Sequence, residues 1–284
     1  MKILVIGGCH SYGYGIAAGQ GFVQRIVNRL EKEYGMVKVD YYTPFKMAKT
    51  VLLLNELKEK TRNYDLILLQ LGHFELLQAD SFKSLIASKN RDFNQRVYGT
   101  YDQEIELQNK PTDLTQFLTQ GFDQVSSKRE NRFTSGLKKM RGKSIDLLKF
   151  SILKTLNLFM ELPRIQFVRI NLTLILDSLY QVRDKVLLLT PFPIRERTSN
   201  FLRKEGQKIF LEEGLKRGFN VIDSFEIISG NKENCFLEDG CHLNARGHRA
   251  IFKEIMENFD FYETENTNLL NVRKIFRYFM ENQN

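Results

Sequence analysis

Within its first 72 residues the chain alternates short apolar runs with segments of helical periodicity, and no other feature constrains its fold as tightly. Lys2 to Ile6 is a strand candidate, Val37 to Tyr42 a second, and Leu66 to Leu71 a third, apolar throughout apart from Gln70 and ending at Gly72. Between the first two, the segment from Ile16 to Tyr34 carries Phe22, Val23, Ile26, Val27, Leu30 and Tyr34 at i, i+3, i+4 spacing and is closed by Gly35, the pattern of an amphipathic helix with a C-terminal glycine. Val51 to Thr61 reads as the helix between the second and third. Strands that are apolar on both faces and alternate with helices require a parallel sheet covered on each side. The expected fold class is therefore α/β, a three-layer α/β/α sandwich around a central parallel sheet.

The rhythm breaks between about Gln78 and Arg183. This stretch holds a polar run, then a basic segment, then a helical region from about Ser144 to Leu179 interrupted by Pro163. It reads as a mostly helical insertion, at about 79–183, in one domain spanning 1–284. The α/β pattern resumes with the strand Lys185 to Pro191, a helix from about Thr198 to Arg217, the short strand Phe219 to Ile222 and a helix from about Ala245 to Asn258 with Asn244 as its N-cap. The tail, about 263–284, reads as one more amphipathic helix.

With 42% hydrophobic residues, 27% charged residues and 5 prolines in 284, the composition is that of a globular protein and excludes wholesale disorder. The net charge of +8 is compatible with anionic partners without choosing among them. Basic residues are densest from Lys128 to Lys143, where Glu130 is the only acid. That segment reads first as a solvated surface. Together with the helices up to Leu179 it is the candidate for a peripheral contact with an anionic membrane surface; no nucleic-acid partner is expected, and the oligomeric state is left open. Ile145 to Leu179 is broken by Lys149, Lys154, Glu161, Arg164 and Arg169, which rules it out as a membrane span. The 3 cysteines, Cys9, Cys235 and Cys241, lack the spacing of a disulfide framework, and the N-terminal run meets Gly7 too soon for a secretory signal. A reducing, cytoplasmic setting is expected.

In an open parallel sheet, ligands bind beyond the carboxyl ends of the strands. Cys9, the run Gly72-His73-Phe74-Glu75, Thr190-Pro191 and the segment Asp239 to His242 all follow predicted strands, so folding gathers them at one edge. They include a nucleophile on the turn into a helix, an imidazole, and a carboxylate three residues before it, the parts of a nucleophile, base and orienter system.

The segment Gly7-Gly8-Cys9-His10-Ser11-Tyr12-Gly13-Tyr14-Gly15 resembles the first block of the SGNH/GDSL hydrolases, with Cys9 at the position of the nucleophilic serine and Ser11 at that of a threonine. Asp239-Gly240-Cys241-His242-Leu243-Asn244-Ala245-Arg246-Gly247-His248 is similar to their last block. The resemblance covers about 1–78 and 184–258. It implies the flavodoxin-like strand order, Cys9 as nucleophile, His242 as base and Asp239 as its orienter, and an O-acyl or O-acetyl substrate on a carbohydrate or lipid. Gly8, His10, Gly72 and His73 are the candidates for substrate or oxyanion contacts. No cofactor is required by this set.

Two positions depart from the family pattern. Phe74 stands where the family has an asparagine that donates to the oxyanion, and Tyr41 to Lys46 holds no counterpart of the glycine block. Loss of one such donor costs roughly 100- to 1000-fold in rate, so a catalytically inactive protein of this fold that binds a glycan, lipid or protein is the alternative reading. A thiol beside an imidazole and at a helix N-terminus is expected to ionise more readily than a serine; against that, a cysteine just after a buried strand can serve as apolar filler. A zinc quartet of Cys235, Cys241, His242 and His248 lacks the paired ligand spacing of structural zinc sites. A dinucleotide fingerprint at Gly13 to Ala18 comes too far after the strand.

Overall fold

The computed structural model describes residues 1–77, 150–231 and 233–264, with side chains to residue 258. The basic segment Lys128 to Lys143 and the tail helix expected beyond residue 264 lie outside the described residues. Five strands, β1 (Lys2–Ile6), β2 (Lys38–Tyr42), β3 (Leu66–Gln70), β4 (Val186–Leu189) and β5 (Asn220–Ile222), form one sheet in the order β2-β1-β3-β4-β5. All four pairings are parallel, with Ile3 opposite both Val39 and Leu66, Leu68 opposite Leu187, and Leu188 opposite Val221. The α/β fold class and the flavodoxin-like order are those expected from the sequence.

Besides the helical residues 150–159, the helices of the described residues are α1 (Cys9–Tyr12), α2 (Phe22–Tyr34), α3 (Met47–Leu57), α4 (Pro163–Leu179), α5 (Arg197–Lys216), α6 (Ser224–Ser229) and α7 (Ala245–Thr264). The step from β1 to β2 runs one way along the sheet and later steps run the other way, so right-handed crossovers put α2 on one face and the helices that follow β2 and β4 on the opposite one. Packing agrees: Phe22, Val23, Ile26 and Leu30 of α2 and Ile251 and Ile255 of α7 share a core with Ile3, Val5, Leu68, Leu187 and Leu189. On the other face, α5 approaches the sheet so closely that a Cβ on Gly214 would stand 2.5 Å from Val221. The strands are buried on both faces, which explains why their sequences do not alternate.

Helix α2 begins at Phe22 and not at Ile16, because Gly13 and Gly15 take left-handed conformations (φ 74° and 76°) that hold the preceding segment as loop. Pro163 does not interrupt a helix. The helical residues 150–159 end before it and it opens α4, where its missing N–H removes no helical bond. Asn244 caps α7 as expected, its side-chain oxygen accepting from the Arg246 and Gly247 amides at 2.9 and 3.1 Å.

The chain divides into two compact units, residues 1–77 with 167–284 and residues 78–166. Residues 167–183, read from sequence as part of the insertion, belong to the first. Among the described residues no helix is long and apolar enough to cross a membrane. Cys9, Cys235 and Cys241 are thiols and form no disulfide with one another.

Candidate active site

The nucleophile candidate sits where β1 ends. Gly7 continues the sheet by donating to the Tyr42 carbonyl at 3.0 Å, and the chain then winds at once into α1, whose first residue is Cys9. Gln70 holds this turn from the end of β3. Its side-chain oxygen accepts from the Gly8 amide at 3.0 Å and from the buried Ser11 hydroxyl at 3.1 Å. A Cβ on Gly7 would fall 2.0 Å from the Ser11 oxygen, so the first glycine of the block is required by the closeness of that hydroxyl.

The base candidate lies on the loop between α6 and α7. Asp239 accepts through Oδ1 from the Cys241 and His242 amides at 2.8 and 2.9 Å, and its Oδ2 is 2.5 Å from His242 Nδ1. Burial raises the Asp239 carboxyl, but the His242 amide and ring and the Cys241 amide together hold it below the usual carboxylate range. An ionised carboxylate only accepts, which places the imidazole proton on Nδ1 and makes Nε2 the basic nitrogen.

The two pieces meet. The ring of Tyr14 lies 4.5 Å, centroid to centroid, from that of His242, and the ring of His10, next in sequence to Cys9, lies 5.4 Å from it. His10 in turn packs on His73 at 5.1 Å and Phe192 at 4.9 Å. Segments more than 200 residues apart in sequence thus form one cluster at the carboxyl edge of the sheet.

His10 is 3% exposed and its Nδ1 has no partner among the described residues. Burial, reinforced by His73 and His242, holds it far below the ordinary histidine value. His73 is held there by burial and the Arg203 charge. The Phe192 amide donates to His73 Nε2 at 2.9 Å, and Nδ1 lies 2.5 Å from the Gln70 side-chain nitrogen and 3.2 Å from the Leu71 carbonyl. Both nitrogens of His73 and the amide of Gly8 are therefore engaged within the protein. Gly72, at φ 80°, turns the chain out of β3. Phe74, at the family's asparagine position, is 46% exposed with the Lys46 ammonium 5.5 Å from its ring centre.

The thiol differs from expectation. Cys9 is partly exposed as a residue, but burial pushes its thiol up to about 11, against the opposing pull of its own amide, the His10 amide and Arg203. α1 has only four residues, too short for a helix N-terminus to outweigh desolvation. At rest Cys9 is a neutral thiol.

Sequence reasoning missed several contributors. Gln70 stands out as the one polar residue in an apolar strand, a readable signal whose purpose is not readable. Arg203 on α5 looks in sequence like any helical arginine. His248 accepts through Nδ1 from the Phe22 amide at 3.3 Å and so caps α2 from the far end of the chain. Among the described residues no group of three or more His, Cys, Asp or Glu is arranged to hold a metal ion.

No protein-family model and no curated protein matches the sequence. Solved structures match its fold. Esterase EstA from Pseudoalteromonas sp. superposes with a TM-score of 0.50 at 12% identity, covering 93% of this chain and 99% of that one. The lipase/acylhydrolase from Enterococcus faecalis gives 0.50 at 14% identity over 91% of this chain and 94% of that one. The lipase Lip_vut3 from a goat rumen metagenome gives 0.50 at 14%, over 90% and 96%.

Proposed function

We propose that this protein is an acyl-ester hydrolase or O-acyltransferase of SGNH/GDSL kind, in which Cys9 attacks the ester carbonyl, His242 moves the proton and Asp239 orients His242. The observation that carries the reading is the Asp239–His242 pair, 2.5 Å from Oδ2 to Nδ1, with the His242 ring packed against the α1 turn. The fold shared with an esterase and two lipases supports it.

In this reading His242 Nε2 takes the Cys9 proton as Sγ bonds to the carbonyl carbon. The tetrahedral adduct then expels the alcohol, which receives that proton, and leaves a Cys9 thioester. Water, or an acceptor hydroxyl in the transferase case, loses a proton to Nε2 and attacks the thioester, releasing acid or new ester and restoring the thiol. Since the resting thiol is neutral, the proton leaves with the attack rather than before it. Gly72 and His10 are the oxyanion candidates left by the commitments of Gly8 and His73. The substrate class is a small-molecule or glycan acyl ester, the setting cytoplasmic, and no cofactor takes part.

Turnover of short-chain p-nitrophenyl esters tests the reading. Cys9→Ala and His242→Ala are expected to lose about 10³-fold or more in kcat/KM; turnover undiminished in Cys9→Ala overturns it. One observation favours a second reading, a binding protein without catalysis: the exposed Phe74 supplies no donor where the family has an amide, while the Gly8 amide and both His73 nitrogens are engaged within the protein. Ester turnover absent from the wild type, with partner binding unchanged in Cys9→Ala, is the result that selects it.

A further inference from the structure

Arg203 is the largest fully buried side chain in the described structure, 1% exposed at the inner side of the site. An isolated buried charge is costly, and buried guanidinium groups ordinarily meet a carboxylate. Arg203 meets none within ion-pair distance among the described residues. Its Nη1 donates to the Phe192 carbonyl at 3.0 Å and to the Pro193 carbonyl at 3.5 Å, its Nη2 to the His73 carbonyl at 3.4 Å, and its Nε has no partner among the described residues. These are the loops after β4 and β3. The Phe192 peptide is thereby fixed at both ends, its carbonyl by Arg203 and its amide by the His73 ring on which His10 packs. The side chains facing the guanidinium are the Cys241 thiol, within hydrogen-bonding reach, then Cys9, with Glu196 farther along.

We propose that Arg203 is a positioning residue of this site: its guanidinium clamps the two loops that carry His73 and Phe192, and its uncompensated charge favours the Cys9 thiolate as that thiolate forms. The assignment rests on Cys9 as nucleophile. Cys9 faces its own amide, the His10 amide, Cys241 and Arg203, and Arg203 is the one full positive charge among them. Burial and Cys241 oppose ionisation, so removing Arg203 leaves the thiol with nothing but two amides in its favour.

The test is alkylation of Cys9 by iodoacetamide at a fixed pH of about 8.5, located by peptide mass spectrometry, in the full chain and in Arg203→Met and Arg203→Lys. Below its ionisation midpoint a thiol reacts in proportion to its thiolate fraction, so raising that midpoint by about one pH unit slows the reaction about tenfold. Arg203→Met is expected to react about tenfold more slowly than wild type. Arg203→Lys keeps the charge and loses the fork, so it should react within about threefold of wild type while its thermal midpoint falls. Equal rates in Arg203→Met and wild type overturn the proposal, as does equal slowing in both variants in step with lost stability. If Arg203→Met does not fold, Arg203→Lys decides: an alkylation profile displaced by a full pH unit overturns the assignment, and one that coincides with wild type supports it. Ester turnover is read separately. The predicted alkylation pattern without turnover refutes the acyl-ester function and leaves the Arg203 assignment standing.

Discussion

Asp239 commits both carboxylate oxygens to one short loop, two amides on Oδ1 and the His242 ring on Oδ2. Asp239→Asn keeps an oxygen for the amides but turns a donor toward Nδ1, which moves the ring proton to Nε2 and removes the base. The expected result is a kcat lower by about 10⁴-fold in a protein that still folds, checked by ester kinetics beside circular dichroism. The carboxyl is held low in the fold, so it contributes stability above its unfolded value near 3.9 and loses it as pH falls through the lower folded value. This pair was readable in the sequence because an i, i+3 spacing suffices to bring the two side chains together. Arg203 was not: its partners are main-chain carbonyls from segments about 10 and 130 residues away, and nothing in a helical run separates a buried arginine from a solvated one. The thiol was left between two readings for a related reason. Desolvation depends on what packs around Cys9, and that is set by tertiary contacts.

At the level of elements, starts and stops were readable wherever the capping group is local. Asn244 donates through Nδ2 to the Asn234 and Phe236 carbonyls, at 2.7 and 3.2 Å, besides capping α7. It therefore fixes the loop that carries His242 as well as the helix that follows. Asn244→Ala is expected to cost about 1–2 kcal/mol of stability in urea unfolding and to lower ester turnover, since the His242 loop loses its anchor. Remote caps were hidden. Glu75, just beyond β3, accepts from the Met47 amide at 2.6 Å and starts α3, which the sequence placed at Val51. Helix α6, six residues long, is too short to show periodicity, yet Asp223 caps it and Thr190, just after β4, binds its first turn.

For the molecule as a whole, the parallel sheet and the gathering of the site at one sheet edge follow from apolar runs that alternate with helices, whereas the strand order was legible only through the resemblance of the first and last blocks. The molecule's acid sensitivity was not legible. His10 and His248 are buried, His73 is half-buried, and all three are held below the ordinary histidine value, His248 at about 4 chiefly by burial. Below about pH 6.5 the unfolded chain binds protons that the folded chain refuses, so stability is full above that pH and declines as pH falls toward 4. His248 alone accounts for about 3 kcal/mol of that decline. Urea unfolding at pH 7 and pH 4 is expected to show a loss smaller by roughly that amount in His248→Asn, which keeps an acceptor for the Phe22 amide. The central claim is that Cys9 and His242 act on an acyl group as one unit, and brief exposure to an activated acetyl ester followed by acid quenching and peptide mass mapping tests it most directly. The account predicts acetyl on Cys9 in wild type and almost none in His242→Ala. Equal acetylation of Cys9 in both proteins, or acetyl on other residues only, contradicts it.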